Sequence, residues 1–308
     1  MPLINHCNGG GGTPQLCGQV ENFEAGLGNL SATLSWTAPS PDEDNSFVGA
    51  RIVRKIGSAP TGINDGTVVY EGTALTYTDT GLTAGTTYYY RAFAYNAKKR
   101  YQTAYRVINI TAIALNSNFA DNTWEQIITA CHSGGVPDTW VAGDSKTMTI
   151  DGADYQIDII GKGHDTYAAG GTAPLTFQLH DCLNTKYAWQ ATWDDLITKL
   201  PQSIQSAIKP VSKTINNESV SAKLFSLTEK EVFGTVKYSK YVEGTQYAYY
   251  AAGNSKTKKL NGNLSDWWLS STSSSQGLTL AVIVTQNGTC STSTMFNEKK
   301  GVAFAFCF

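Results

Sequence analysis

Two His-Asp dipeptides are the residues of this chain best suited to acid–base or metal chemistry. They are His164-Asp165 and His180-Asp181. An imidazole beside a carboxylate can move a proton or ligate a metal ion, but either role requires the two pairs to converge in space. Hydrogen bonding that ties loops together is the simpler interpretation, and we favour it.

The cysteines and the short motifs give no sign of a catalytic centre. Six cysteines are spread along the chain at positions 7, 17, 131, 182, 290 and 307, without a Cys-x-x-Cys pair. Reduced thiols are therefore the expectation. The sequence also lacks a Gly-x-Ser-x-Gly elbow, a phosphate loop and a dinucleotide fingerprint. We expect a protein that is not an enzyme and that holds neither a cofactor nor a metal.

Composition excludes two classes of partner. The 308 residues carry a net charge of −2, with a pI near 6.1, so no basic field would attract nucleic acid. No run of about 18 apolar residues is present, which argues against membrane insertion. The first residues lack the basic and apolar regions of a signal peptide, so synthesis and folding in a cytoplasm are expected. The 29 Gly and 16 Tyr residues favour a β-rich, turn-rich protein.

Changes in composition and in the hydrophobic pattern divide the chain into three parts. Residues 1–18 hold a Gly run and predict a flexible segment for attachment. Residues 19–114 show short alternating strands with frequent turn signals, which predict a β-sandwich. Strands are expected at Ala32–Trp36, Ala50–Lys55, Thr67–Tyr70 and Thr76–Asp79, and the run Gly81–Asn96 continues the series.

This second part resembles the fibronectin type III family. Trp36 matches the core tryptophan of the second strand, and Leu82–Tyr88 matches the turn into the tyrosine corner, with Tyr88 as the corner residue. Ala84 stands where the family usually has proline. The resemblance implies a spacer or binding module and says little about activity.

Residues 115–308 predict an α+β domain. Helices are expected at Thr123–Cys131, with Asn122 or Asp121 as N-cap, and at Trp193–Leu200 and Gln202–Lys213. Strands are expected at Lys146–Ile150 and Tyr155–Ile160, and Lys223–Gly234 predicts a strand that runs into a short capped turn. Terminal hairpins complete the domain.

The last forty residues combine an aromatic frame with a neutral insert. Asp266–Leu269 opens the segment, Gly301–Phe308 closes it, and residues 267–297 carry no charge. Alternation predicts two rows of apolar side chains, each on one strand face. The rows are Leu278, Leu280, Val282 and Val284, and Val302, Phe304, Phe306 and Phe308. Thr285–Asn297 is then expected to form a surface loop. Most Ser/Thr-rich loops are merely solvated connections, but the frame favours display of a ligand-binding surface.

The residues expected to contact a ligand are hydroxyl and amide side chains of the insert, with one aromatic anchor. They are Ser270, Ser271, Thr272, Ser273, Ser274, Gln276, Thr279, Thr285, Asn287, Thr289, Ser291, Thr292, Ser293, Thr294, Phe296 and Asn297.

Five segments of the second half are similar to a family of uncharacterised bacterial and phage domains in the wider C-type lectin-like group. They are Ile159–Asp165, Leu175–Cys182, Lys223–Gly234, Asp266–Leu269 and Gly301–Phe308. The group includes receptor-binding tips of phage tails and the variable proteins of diversity-generating retroelements, whose adenine-rich codons mutate between fixed framework residues. Where the family usually has an Arg-Ser-Pro-like sequence after the Trp pair, this chain has Ser270-Ser271-Thr272, so either those positions vary or the chain is a divergent copy.

The resemblance implies a receptor-binding adhesin of the virion, at the tip of a phage tail, that docks on a host bacterial surface protein or glycan. The N-terminal segment would join other tail proteins, and analogy with phage tips implies a homotrimer. Two alternatives stay open. One is a structural virion or surface protein without a ligand. The other is an oxidoreductase like the formylglycine-generating enzymes, for which Cys290 and Cys307 carry no distinguishing mark.

Overall fold

The computed structural model describes residues 17–40, 47–102, 106–190, 192–275, 278–295 and 298–308. The chain divides into two compact units, Met1–Leu115 and Asn116–Phe308. The Gly-rich attachment segment expected at 1–18 lies almost wholly outside the described residues. Among the helices that are described, none has the length and apolar character needed to span a membrane.

The first unit is a sandwich of two antiparallel sheets. One sheet has the order β1-β2-β5 and the other has the order β4-β3-β6-β7. Their bounds are β1 (Glu21–Gly28), β2 (Ser31–Thr37), β3 (Phe47–Ile56), β4 (Thr67–Gly72), β5 (Thr76–Thr80), β6 (Thr87–Asn96) and β7 (Val107–Thr111). The four strands expected from alternation are thus confirmed as β2 to β5, and the run Gly81–Asn96 contains β6.

Aromatic residues of the inner faces fill this sandwich, as their alternation predicts. Trp36 is 3% exposed and Tyr90 is fully buried, and both belong to one apolar cluster. The hydroxyl of Tyr88 accepts a hydrogen bond from the Thr83 amide at 3.0 Å. This bond closes the expected tyrosine corner, because it ties the strand back to the turn that precedes it.

The second unit is built mainly from strands, with few and short helices. A four-stranded sheet has the order β18-β10-β9-β8, and a three-stranded sheet has the order β15-β16-β17. The strands are β8 (Ser145–Ile150), β9 (Ala153–Lys162), β10 (Leu175–Leu179), β11 (Val211–Ile215), β12 (Glu218–Ala222), β13 (Lys258–Leu260), β14 (Asn263–Ser265), β15 (Trp267–Ser275), β16 (Leu278–Val284), β17 (Cys290–Thr294) and β18 (Ala305–Cys307). The helices are α1 (Trp124–Ser133), α2 (Gln202–Ala207), α3 (Glu229–Phe233) and α4 (Ala248–Ala251), with 3₁₀ turns at Phe119–Asp121 and Asp194–Lys199.

Two helix predictions in this unit need correction. The helix expected over Gln202–Lys213 ends at Ala207, and Val211–Ile215 forms a strand instead. Pro210 explains the change, because proline disfavours helical backbone at the preceding residue and cannot donate the next helical hydrogen bond. The N-cap of α1 is Thr123, whose side chain accepts from the Gln126 amide in a capping box.

Two further segments differ from the expectation. Within Lys223–Gly234 the ordered element is the helix α3, capped by Thr228, and Phe225 makes only isolated bridges. The surface loop expected at Thr285–Asn297 contains the strand β17, which pairs with β16 from Cys290 to Thr294. Hydroxyl and β-branched residues suit a pleated strand as well as a loop, which is why composition alone misplaced this segment.

Candidate functional site

Both tryptophans of the frame are interior. Trp267 is fully buried and Trp268 is 1% exposed, and they pair with Val284 and Ile283 of β16. Their indole N–H groups donate to the carbonyls of Lys256 at 3.0 Å and Tyr187 at 2.8 Å. Alternation sends the two rings to opposite faces, and the unit covers both faces. Each ring therefore has its polar atom satisfied, as burial of an indole requires.

The two ends of the neutral insert are fastened to each other. The Gly301 amide donates to the Asp266 carbonyl at 2.9 Å, and the Trp268 amide donates to the Gly301 carbonyl at 3.1 Å. A side chain at Gly301 would bring a Cβ within 2.4 Å of the Cys182 sulfur, so only glycine fits this crossing. The Asp266 carboxylate also accepts from the Gln286 amide at 2.9 Å. The insert thus starts and ends at one fixed point.

The hydroxyls next to the tryptophans point into the unit. Ser270, Ser271, Thr272 and Ser273 are between 0% and 9% exposed. Ser271 Oγ accepts from the Glu229 amide at 2.9 Å, and Thr272 donates to Asn216 Oδ1. These four predicted contact residues are therefore covered in the folded unit and contribute little to its accessible surface.

Other predicted contact residues form an exposed edge. Asn287, Thr289 and Thr294 are exposed, Thr285, Ser291 and Thr292 are partly exposed, and Ser293 is buried and donates to Glu298 at 2.8 Å. We name the first six residues the hydroxyl edge. The side chains of Ser274, Gln276, Thr279, Phe296 and Asn297 lie outside the described part of the chain.

A tight hairpin turn shapes one end of the hydroxyl edge. The Thr285 amide donates to the Thr289 carbonyl, and the Gly288 amide donates to the Thr285 carbonyl, both at 2.8 Å. The two threonine hydroxyls are 2.8 Å apart and share a hydrogen bond. Gly288 adopts a φ of 75°, which favours glycine. The turn therefore holds the amide of Asn287 at its tip.

Glu229 supports the edge from behind. Its buried carboxylate accepts from the amides of Lys237, Tyr238 and Ser239 at 2.6 to 3.1 Å and from the Cys290 thiol at 3.1 Å. Burial alone would raise the pKa of Glu229, but these hydrogen bonds hold that pKa below its usual range. No local pattern in the sequence marks Glu229 for this role, because its carboxylate meets Lys237, Ser239 and Cys290 only in the folded unit.

The cysteines proposed for the oxidoreductase alternative have raised thiol pKa values. Burial raises the pKa of Cys290, and its hydrogen bond to Glu229 raises it further. Burial also raises the pKa of Cys307, which is fully buried and donates to Thr176. Reactive thiols have depressed pKa values, so the environment of both cysteines works against such chemistry.

Asp165 of the first dipeptide lies in a buried ionic cluster. Lys213 donates to Asp165 at 3.0 Å, to Glu231, and to the Tyr247 hydroxyl at 3.2 Å. Tyr247 and Thr176 donate in turn to the second Asp165 oxygen at 2.8 and 2.5 Å. We name Asp165, Lys213, Glu231 and Tyr247 the Lys213 network. Burial alone would lower the pKa of Lys213, but the charges of Glu231 and Asp165 raise it above its usual value.

His180 of the second dipeptide has a different setting. Its Nδ1 lies 2.7 Å from the carboxylate of Asp158, which is 4% exposed, while the imidazole is 50% exposed. The hydrogen bond to Asp158 raises the pKa of His180. The cavity beside His164 and the cavity beside His180 share no lining residue. Within the described residues, no three His, Cys, Asp or Glu side chains are grouped for a metal ion.

Comparison with known proteins gives a family match for part of the chain. A family model described as "Domain of unknown function (DUF6273)" matches residues 178–308. No curated protein matches. The matched segment contains α3, the hydroxyl edge and the aromatic frame.

Solved structures resemble the first unit. A fibronectin type III domain of human fibronectin type III domain containing protein 3 is 19% identical, and the match covers 38% of this chain and all of that domain with a TM-score of 0.28. The FN5 domain of Drosophila Lar is 18% identical over 32% of this chain and 99% of that domain, with a TM-score of 0.24. The fibronectin type III-like fold of the first unit rests on its own two-sheet order and on the Tyr88–Thr83 hydrogen bond.

Proposed function

We propose that this protein is a non-enzymatic receptor-binding adhesin whose hydroxyl edge contacts a protein or glycan on a host bacterial surface. The observation that carries the proposal is the fastening of Asp266 to Gly301, which holds a charge-free polar edge on a buried aromatic frame. Small hydroxyl and amide groups adapt their hydrogen bonding to different partners. The edge can therefore vary without loss of the frame.

The wider biological setting is part of the same proposal. We infer that the second unit belongs to the C-type lectin-like group and acts at a phage tail tip, as a homotrimer attached through the N-terminal segment. The uncharged edge offers modest affinity per copy, which repeated copies raise by avidity. Retroelement diversification would act on the codons of the exposed residues of the insert. The four buried hydroxyls of β15 would belong to the conserved framework.

Replacement of exposed edge residues tests the proposal. Asn287→Ala combined with Thr294→Ala should reduce binding of purified protein to host cells by about tenfold, equivalent to ~1.4 kcal/mol. Both side chains are exposed, so the melting temperature should stay unchanged. Thr198→Ala, an exposed threonine on the 3₁₀ turn Asp194–Lys199, is the matched control.

A graft separates the adhesin from a structural virion protein. Exchange of residues 285–294 between sibling copies should transfer host preference while the domain stays folded. If the exchange unfolds the domain and sibling copies differ no more here than elsewhere, the segment is structural and the adhesin proposal fails.

A further inference from the structure

A polar groove lies on the second unit, lined by the end of β8, β9, the segment after β10, the hairpin β13–β14 and Lys199 of the second 3₁₀ turn. Two cavities of about 110 and 220 Å³ share Tyr155 and Asn184 as lining residues. Together they reach the lower end of the range for small-ligand sites, about 300 Å³. The first cavity is also lined by Asp151, Tyr187 and Lys199, and the second by His180, Asp181 and Lys259.

Hydrogen bonds join β9, the segment after β10 and the hairpin β13–β14 along the groove. The Asn184 amide donates to the Tyr155 hydroxyl at 3.0 Å, and Asn261 Nδ2 donates to the Asn184 carbonyl at 3.1 Å. Asn261 and Gly262 form the hairpin turn with φ values of 51° and 81°, the Asn-Gly pattern of a type I′ turn. The Lys259 amide donates to Asp181 Oδ1 at 2.7 Å. Because these bonds hold the walls together, little ordering is needed when a ligand binds.

His180 is held in a defined orientation within the groove. Buried Asp158 engages its Nδ1, which leaves Nε2 for a ligand. Lys258 donates to the carbonyls of Leu179 at 2.6 Å and His180 at 2.9 Å, which fixes the backbone on either side. The Tyr155 hydroxyl accepts from Asn184, so its own proton is available to a ligand acceptor.

Charges in the groove are mixed and largely balanced. Asp151 pairs with Lys199 at 2.5 Å at one end, while Asp154, Asp181 and Lys259 line the other. Such a mixture gives no strong field for an ionic ligand. It instead offers many donors and acceptors beside the apolar rings of Tyr155 and Tyr187.

From this arrangement we infer that the groove binds a neutral oligosaccharide. Adjacent sugar hydroxyls match the closely spaced carboxylate, amide and imidazole groups, and the apolar face of a sugar ring matches the tyrosine rings. The groove shares no residue with the hydroxyl edge, so it is a second binding site and not part of the first.

A panel of oligosaccharides tests the inference on the full chain. The panel contains neutral hexose and N-acetylhexosamine oligomers together with their uronate counterparts, and binding is measured by titration calorimetry. At least one neutral member should bind, and its uronate counterpart should bind more weakly. Tyr155→Ala should weaken that binding by about tenfold. Asn261→Gly should also weaken sugar binding, because the substitution removes the side-chain amide, while glycine still adopts the left-handed backbone of the turn.

Two controls keep the outcomes distinct. His164→Ala changes the histidine of the other cavity and should leave sugar binding unchanged. The pair Asn287→Ala and Thr294→Ala should reduce host-cell binding through the edge but leave sugar binding unchanged. The inference is wrong if no neutral member binds, if uronates bind more tightly, or if the edge pair alone abolishes sugar binding. None of these results would overturn the edge as a receptor site.

Discussion

The two His-Asp dipeptides of the second unit have opposite electrostatic settings. In His164-Asp165 the aspartate enters the Lys213 network, and the histidine stacks on Tyr247 with ring centroids 3.8 Å apart. In His180-Asp181 the histidine pairs with Asp158 of β9, and the aspartate accepts from a backbone amide. Burial lowers the pKa of His164, whereas the bond to Asp158 raises the pKa of His180. Partners distant in sequence thus decide what an identical dipeptide does.

The Lys213 network and the groove beside His180 also differ in how many of their polar atoms have hydrogen-bond partners within the protein. Lys213 directs its ammonium group at three oxygen atoms, and both Asp165 oxygens have partners. Such a cluster cross-links β10, β11 and α3, as the loop-tying interpretation expects. His180 and Tyr155 line the groove, and each uses only one of its polar functions in the hydrogen bonds to Asp158 and Asn184. The comparison separates a cluster that holds the fold from the groove that we propose as a binding site.

Removal of the central cation should give the largest effect. Lys213→Met leaves Asp165 and Glu231 buried without their shared cation, so the second unit should lose about 3–5 kcal/mol of unfolding free energy. Chemical denaturation measures the loss. Lys199→Met is the matched control, because its pair with Asp151 is much more exposed and should be worth less than about 1 kcal/mol. If Lys213→Met and Lys199→Met lose the same unfolding free energy, the Lys213 network does not hold the fold more strongly than the exposed pair at the groove.

The next largest effect concerns Asp165. Burial would raise the pKa of Asp165, but the charge of Lys213 and the hydrogen bonds from Thr176 and Tyr247 hold it below the usual 3.8. Its contribution is therefore present above that pH and is lost as the pH falls through the lowered pKa of the folded state. Asp165→Asn should cost about 1.5–3 kcal/mol at neutral pH. Denaturation curves of the two proteins should converge in acid, and a constant difference down to low pH would contradict this assignment.

The sequence predicts the first unit well because its signals are local. Alternation identifies the strands, and the spacing from Leu82 to Tyr88 identifies the corner. Local signals also explain two errors in the second unit. Pro210 is incompatible with a helix that continues to Lys213, and the spacing of Thr123 and Gln126 indicates the capping box that begins α1. Both were readable from the chain.

The candidate sites depend on contacts that no local pattern contains. Ser270–Ser273 are as polar as the exposed edge, yet α3 and Asn216 cover them. Lys213 meets Asp165 across 48 positions, and His180 meets Asp158 across 22. Which serine is buried and which aspartate pairs with a histidine are set by tertiary packing. From composition alone the Ser/Thr-rich insert can be predicted as a candidate binding segment, but its accessible residues cannot be identified.

The smallest expected effect concerns the two histidines. As the pH changes, His164 and His180 should shift the free energy of unfolding in opposite directions. His180 has a raised pKa, so its bond to Asp158 contributes fully below the usual 6.5 and is lost as the pH rises through the higher folded value. His164 has a lowered pKa, so the fold loses stability as the pH falls through 6.5. Each contribution should stay below about 1 kcal/mol for such partly exposed groups.

Titration of the imidazole resonances by NMR should therefore place the pKa of His180 above that of His164. Asp158→Asn removes the charge that His180 meets and should bring its pKa back toward the usual value, while the pKa of His164 stays the same. If both histidines move together, the two sites are coupled through the unit, and the division between a structural network and a separate binding groove no longer holds. If only His180 moves, its orientation by Asp158 is local, as a preorganised groove requires.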